Sequence, residues 1–157
     1  MARIIPNEQS YLGFLPAVAD KAAPTSAELT AGTNLTSFLI SLNASTQGNT
    51  VPTPDISTLF ETSIPGTVQA SLTGDFYRDD TTDTAWETLP RSTSGFFVVQ
   101  RFGADPDGAD PTTGDSVEVW PIMVVSRTMS NMSNNTAETF TVTCSIPEVP
   151  EEDATVA

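Results

Sequence analysis

The chain has 157 residues, 20 of them acidic and 6 basic, with one cysteine, no histidine and a formal net charge of −14. A single domain of this length can bury roughly 70% of the surface its unfolded form exposes, so it folds without needing a disulfide or a structural metal. With Lys21 as its sole lysine it is ill suited to neutralising DNA phosphates or to docking on an anionic membrane.

In chain order, Met1 to Thr25 mixes Pro6, Pro16 and Pro24 with scattered hydrophobes and reads as an irregular N-terminal arm, residues 1–25. Its start, MARIIPNE, lacks the roughly 7 to 15 residue apolar run of a secretory leader, so the protein is expected to be soluble and unexported. Leu35 to Leu42 (LTSFLISL) is an apolar run ended by Asn43, Gln47, Gly48 and Asn49, and a loop reaching Pro54 is expected to follow. Ile56 to Ser63 alternates as a strand before Ile64-Pro65-Gly66, and Val68 to Tyr77 alternates more cleanly, as a strand with one buried face does.

Between Asp80 and Leu89 the sequence predicts one short helix, with Thr84 and Glu87 as a capping box and Trp86 and Leu89 on one face before Pro90. Gly95 to Phe102 (GFFVVQRF) opens with continuous apolar residues and predicts a central strand covered on both faces. Gly103 to Asp115 is rich in Gly, Pro and Asp, which predicts an exposed loop. Val117 to Met129 and Thr139 to Ile146 predict a hairpin joined through SNMSNNT, and residues 150–157 an acidic tail.

Catalytic and metal chemistry finds little support. Without histidine, Ser-His-Asp and Cys-His nucleophiles are impossible, and Cys144 alternates in phase with Phe140, Val142 and Ile146, as a buried inert thiol would. Asp105, Asp107, Asp110 and Asp115 invite a calcium reading, but Gly108 stands at loop position four rather than six and Ser116 replaces the bidentate glutamate, so a solvated loop is the better account. Asp79, Asp80, Asp83 and Glu87 are explained by the helix dipole rather than by a glycosidase pair. No enzymatic activity and no cofactor are expected.

The ordered string SAELTAGTNLT, FETSIPG, FYRDD, DTAWETL, GFFVVQR and GDSVEVWP, with the closing strand Glu138 to Pro147, resembles the major tail (tail tube) proteins of siphophages over residues 27–149. The resemblance implies a mainly β protein, a tail-tube-type β-sandwich with one short flanking helix and extended arms and loops, its β-domain at 26–149. It implies six copies per ring, rings stacked around a tape-measure protein and bounded by tail terminator and distal tail proteins. The tube would be assembled in the host bacterial cytoplasm and would end in the virion tail, with duplex DNA only in transit.

Such a polymer would use exposed strand edges, with Val68–Tyr77 and Val117–Met129 as candidates, to close a barrel by rotation. A ring of six would carry a formal −84, and an anionic wall would let DNA slide without forming ion pairs. Glu61, Asp75, Glu118 and Glu138 are the candidate lumen-facing acids. The alternatives are another phage tail or head component, such as a completion or decoration protein, or a carbohydrate-binding β-sandwich.

Overall fold

A computed structural model describes residues 3, 9–104 and 108–157. Eight strands form one antiparallel sheet: β1 (Tyr11–Leu15), β2 (Thr33–Asn34), β3 (Leu39–Pro52), β4 (Ser63–Tyr77), β5 (Ser94–Gln100), β6 (Ser116–Met129), β7 (Thr139–Ser145) and β8 (Glu151–Thr155). Their order is β2-β1-β5-β6-β7-β4-β3, with β8 on the first part of β6. The mainly β expectation holds, and the sandwich is realised as one continuous hydrogen-bonded sheet with an apolar cluster on each face.

On one face Leu12, Phe14, Leu72, Phe76, Phe97, Trp120, Ile122, Phe140, Val142 and Cys144 pack with Ala85, Leu89 and Leu35. On the other, Tyr11, Leu15, Val98, Val117 and Val119 pack beneath Leu29, Ala104, Ala154 and Val156. Because β5 lies between β1 and β6 and feeds both clusters, its unbroken apolar run is explained. Gly95 permits close packing there, since a Cβ would meet Leu15 O at 2.7 Å.

Several expectations need correction. Tyr11–Leu15 is not an irregular arm but a fully buried strand, held between β2 and β5; its GFL core sits between Tyr11 and Pro16, too short a run to declare itself. Residues 1–2 and 4–8 of the expected arm lie outside the described residues. The acidic tail is likewise built in, because Ala154 and Val156 alternate inward while Glu152 and Asp153 stay exposed.

A second helix, α1 (Ser26–Ala31), precedes the expected one, and it carries the working capping box: Glu28 N donates to Thr25 Oγ1 at 3.2 Å and Thr25 N to Glu28 Oε2 at 2.8 Å. The expected helix, α2 (Thr84–Thr88), is capped through Asp83 with no side-chain cap bond, so the Thr84–Glu87 box is not made. Trp86 and Leu89 do pack onto the sheet.

The largest difference is the β3–β4 hairpin. Asn43 to Pro52, expected as a loop, continues β3 against β4 down to the pair Pro52–Ser63, its Asn, Gln and Gly satisfied as ladder members. Ile56 to Glu61, expected as a strand, forms the loop at the tip instead, where Ser57 N donates to the Asp55 carboxylate.

Candidate assembly surfaces

Pairing registers bring four strands, β3, β4, β7 and the second half of β6, into a ribbon with two unlike faces. Three rungs cross it on one face: Ser41–Asp75–Thr141–Thr128, Asn43–Thr73–Thr143–Ser126 and Ser45–Ser71–Ser145–Met123. Ten of these twelve positions carry hydroxyl or amide side chains, the other two are a carboxylate and a methionine, and none is a cation. Asp75 is fixed within its rung by Ser41 Oγ, which donates at 2.8 Å, and Thr141 Oγ1, which donates at 2.6 Å. The alternate residues Leu42, Ala44, Leu72, Val142 and Cys144 face the core.

A β-bulge sets this division on β6. Val124 pairs with Cys144 but Ser126 pairs with Thr143, so Val125 is an extra residue and the alternation reverses after it. Without the bulge Arg127 would share the polar face with Met123. With it, Ser126 and Thr128 take that face and Arg127 pairs with Val142 on the core side. There its guanidinium lies 3.7 Å from the Trp86 ring centroid and donates to Trp86 O at 2.8 Å. Arg78 stacks on the same ring at 4.2 Å and pairs with Asp83.

Among the described residues, each long side of the ribbon is open. β3 is an edge strand of 14 residues with no charged side chain and a proline only at Pro52, lacking the usual devices that blunt an edge. On the far side, β5 pairs with β6 only from Glu118 to Met123, which leaves the Val125–Met129 edge without a strand partner. The expected edges are therefore corrected: β4 lies between β7 and β3, and the first part of β6 is covered by β5 and β8.

The four candidate acids do not share one surface. Asp75 is on the polar face; Glu118, two residues before Trp120, is on the opposite face of the sheet. There Glu118 accepts from Arg101 through Oε1 and Oε2 and from Trp120 Nε1 at 3.0 Å, and this pairing raises the Arg101 pKa. Glu61 is exposed in the hairpin tip and Glu138 is exposed just before β7. The feature not anticipated is the tip itself, where Ile56, Leu59 and Phe60 stand in solvent, Ile56 and Leu59 with essentially full exposure.

Other candidate chemistry resolves into structure. The Cys144 thiol is buried, and desolvation pushes its pKa up to about 12. Among the described residues no three metal-ligating side chains gather; Asp105 and Asp107 lie outside them. Asp110 stands near Asn34, which donates to Gly108 O at 2.6 Å and so ties the loop to β2. The loop is less exposed than expected, with Ala104, Gly108 and Pro111 buried.

Among the described residues, one β-sheet with a ribbon whose polar face carries no cation and whose two edges are open has the anatomy of a self-associating structural subunit. The profile of the phage tail tube protein family matches residues 1–157, and the chain belongs to that family. Two solved structures share the fold. One, from the tail of an empty gene transfer agent particle refined helically with C6 symmetry, has a TM-score of 0.56 at 14% identity and covers 92% of this chain and 95% of its own. The other, from the virion of a native gene transfer agent particle, has a TM-score of 0.53 at 16% identity and covers 80% of this chain and 91% of its own. No curated protein sequence matches.

Proposed function

We propose that the protein polymerises as stacked rings of six to form the tube of a virion tail, through which phage DNA is ejected, and that it works as a structural conduit rather than an enzyme. The observation that carries this reading is the four-stranded ribbon, polar and free of Lys and Arg on one face and open along both edges. Its simplest completion is β3 of one subunit pairing with the Val125–Met129 edge of the next. That contact is heterologous and closes by rotation.

Six four-stranded ribbons give 24 strands; at ~4.8 Å between strands tilted ~40°, the barrel is about 45 to 50 Å across between backbones. Such a barrel leaves a bore wide enough for a DNA duplex. Membership of the family and the C6 symmetry of a tail with the same fold support the sixfold ring.

With the polar face turned inward, a DNA phosphate meets hydroxyls, amides and one ring of Asp75 carboxylates. Absence of cations matters more here than abundance of acids, because each Lys or Arg on the wall would bind phosphate by releasing counterions. Asp75 is the lumenal acid in this arrangement; Glu61 and Glu138 would sit at ring borders, and Glu118 outside the barrel. The hairpin tip, with Ile56, Leu59 and Phe60, would bury its apolar surface on the adjoining ring. The tape-measure protein would occupy the bore before DNA does, and tail terminator and distal tail proteins would cap the two ends. Assembly in the bacterial cytoplasm, with the finished tube in the virion tail, completes the reading.

Negative-stain microscopy of the purified protein tests it. Rings or tubes of unregulated length are expected, and a protein that stays monomeric at high concentration while binding glycans would contradict the proposal.

A further inference from the structure

A groove of about 960 Å³ opens where the β3–β4 stem, the end of β7 and the segment leading into β8 meet. Val68, Ala70, Ile146 and Val149 give it apolar walls, and Glu151 and Asp153 stand among its lining. Neither carboxylate has a side-chain hydrogen bond or an ion pair among the described residues, whereas Glu148 nearby is held by Lys21 at 3.0 Å. An apolar trough with free acids suits an extended segment that carries hydrophobes beside a cation.

The chain has one such segment. Of its six cations, Lys21, Arg78 and Arg101 are ion-paired and Arg127 is stacked on Trp86, which leaves Arg3 and Arg91 without an acidic partner among the described residues. Arg91 is flanked by Pro90 and Ser92; Arg3 is followed by Ile4 and Ile5. We infer that this groove receives the N-terminal segment Arg3-Ile4-Ile5 of a neighbouring copy, isoleucines against the apolar wall and guanidinium on Glu151 and Asp153. The inference rests on the tail-tube reading, which calls for a contact between two unlike patches of the same chain; a segment-in-groove contact is of that kind and propagates from copy to copy. Charge complementarity at such a contact acts mainly on the rate of association and on register.

The test is charge reversal in the full chain, followed by light scattering and microscopy of polymerisation, with circular dichroism confirming that each variant is folded. Arg3→Glu alone and Glu151→Arg with Asp153→Arg alone should each slow polymerisation roughly tenfold or more, and the triple variant should recover to within about threefold of the parent. An equimolar mixture of the two defective proteins should polymerise, since each arm then meets a groove of opposite charge on the other copy. If the parent protein forms tubes and either reversal leaves the rate unchanged, the triple variant stays defective, or the mixture is as inert as its components, the inference is wrong; inertness of the mixture alone would mean that each arm occupies its own groove. If the parent protein forms no tubes, the tail-tube reading fails, and the inference falls with it.

Discussion

Asp75 is held from both sides, and its two hydroxyl donors leave it an acceptor with a fixed direction. Changing it to lysine should spare the fold, because the side chain is on the wet face of β4, yet place one cation per subunit on the wall of an assembled tube. Retention of duplex DNA by Asp75→Lys tubes, fading as salt rises, is the expected result, with Asp75→Asn tubes behaving like the parent. Cys144 makes a different prediction. Its thiol, raised from an ordinary 9.0 to about 12 by burial, binds its proton more tightly folded than unfolded. The stabilisation this gives is complete below pH 9 and lost as pH rises towards 12, so stability should fall across that window, and Cys144→Ala should flatten the decline in a denaturant titration. Inertness of this thiol was legible from its alternation with Phe140 and Val142. The polar partners of Asp75 were not, because register across four strands cannot be read from any one of them.

At the scale of elements, long strands with a continuous or alternating apolar pattern declare themselves, and β5, β6, β7 and the second half of β4 do so. Three others escape for physical reasons. β1 is only five residues long. β8 and the segment after it hide two inward residues, Ala154 and Val156, in an acidic stretch. The outer part of β3, Asn43 to Pro52, is rich in Asn, Ser, Thr, Gln and Gly, whose turn chemistry is overridden by nine cross-strand pairs with β4. The capping-box pattern occurs at Thr84 and Glu87 and again at Thr25 and Glu28, and only the second closes. Thr25→Ala should cost about 1 kcal/mol, or roughly 2 to 4 °C in Tm by calorimetry. Backbone hydrogen bonds from Thr25 and Ala19 hold the Glu28 carboxyl below its usual 4.5, so the contribution is present above that pH and lost as pH falls through the lowered value. The Thr25→Ala protein should therefore lose less on acidification than its parent. Deleting Val125 should remove the bulge yet keep Ser126 on the polar face and Arg127 against Trp86, because the remaining residues then alternate regularly against β7. Quenching of Trp86 fluorescence by an aqueous quencher should then stay close to that of the parent.

For the whole molecule, the excess of acidic residues sets what the chain repels, while the ribbon defines what it can build. Ser at positions 56, 59 and 60 in place of Ile, Leu and Phe should leave monomer stability within about 0.5 kcal/mol, because these side chains are exposed. The same triple change should abolish stacking of rings without preventing ring closure. Excess negative charge keeps free subunits apart at low ionic strength, so polymerisation should accelerate as salt screens it over ~8 Å near physiological strength. A helical reconstruction of the assembled polymer tests the central claim most directly. Six subunits per ring, joined through β3 and the Val125–Met129 edge, with the Ser41–Asp75–Thr141–Thr128 rung facing an open bore and Arg127 behind the wall, is the predicted result. A bore lined by arginine, or an assembly in which both ribbon edges stay unpaired, would contradict it.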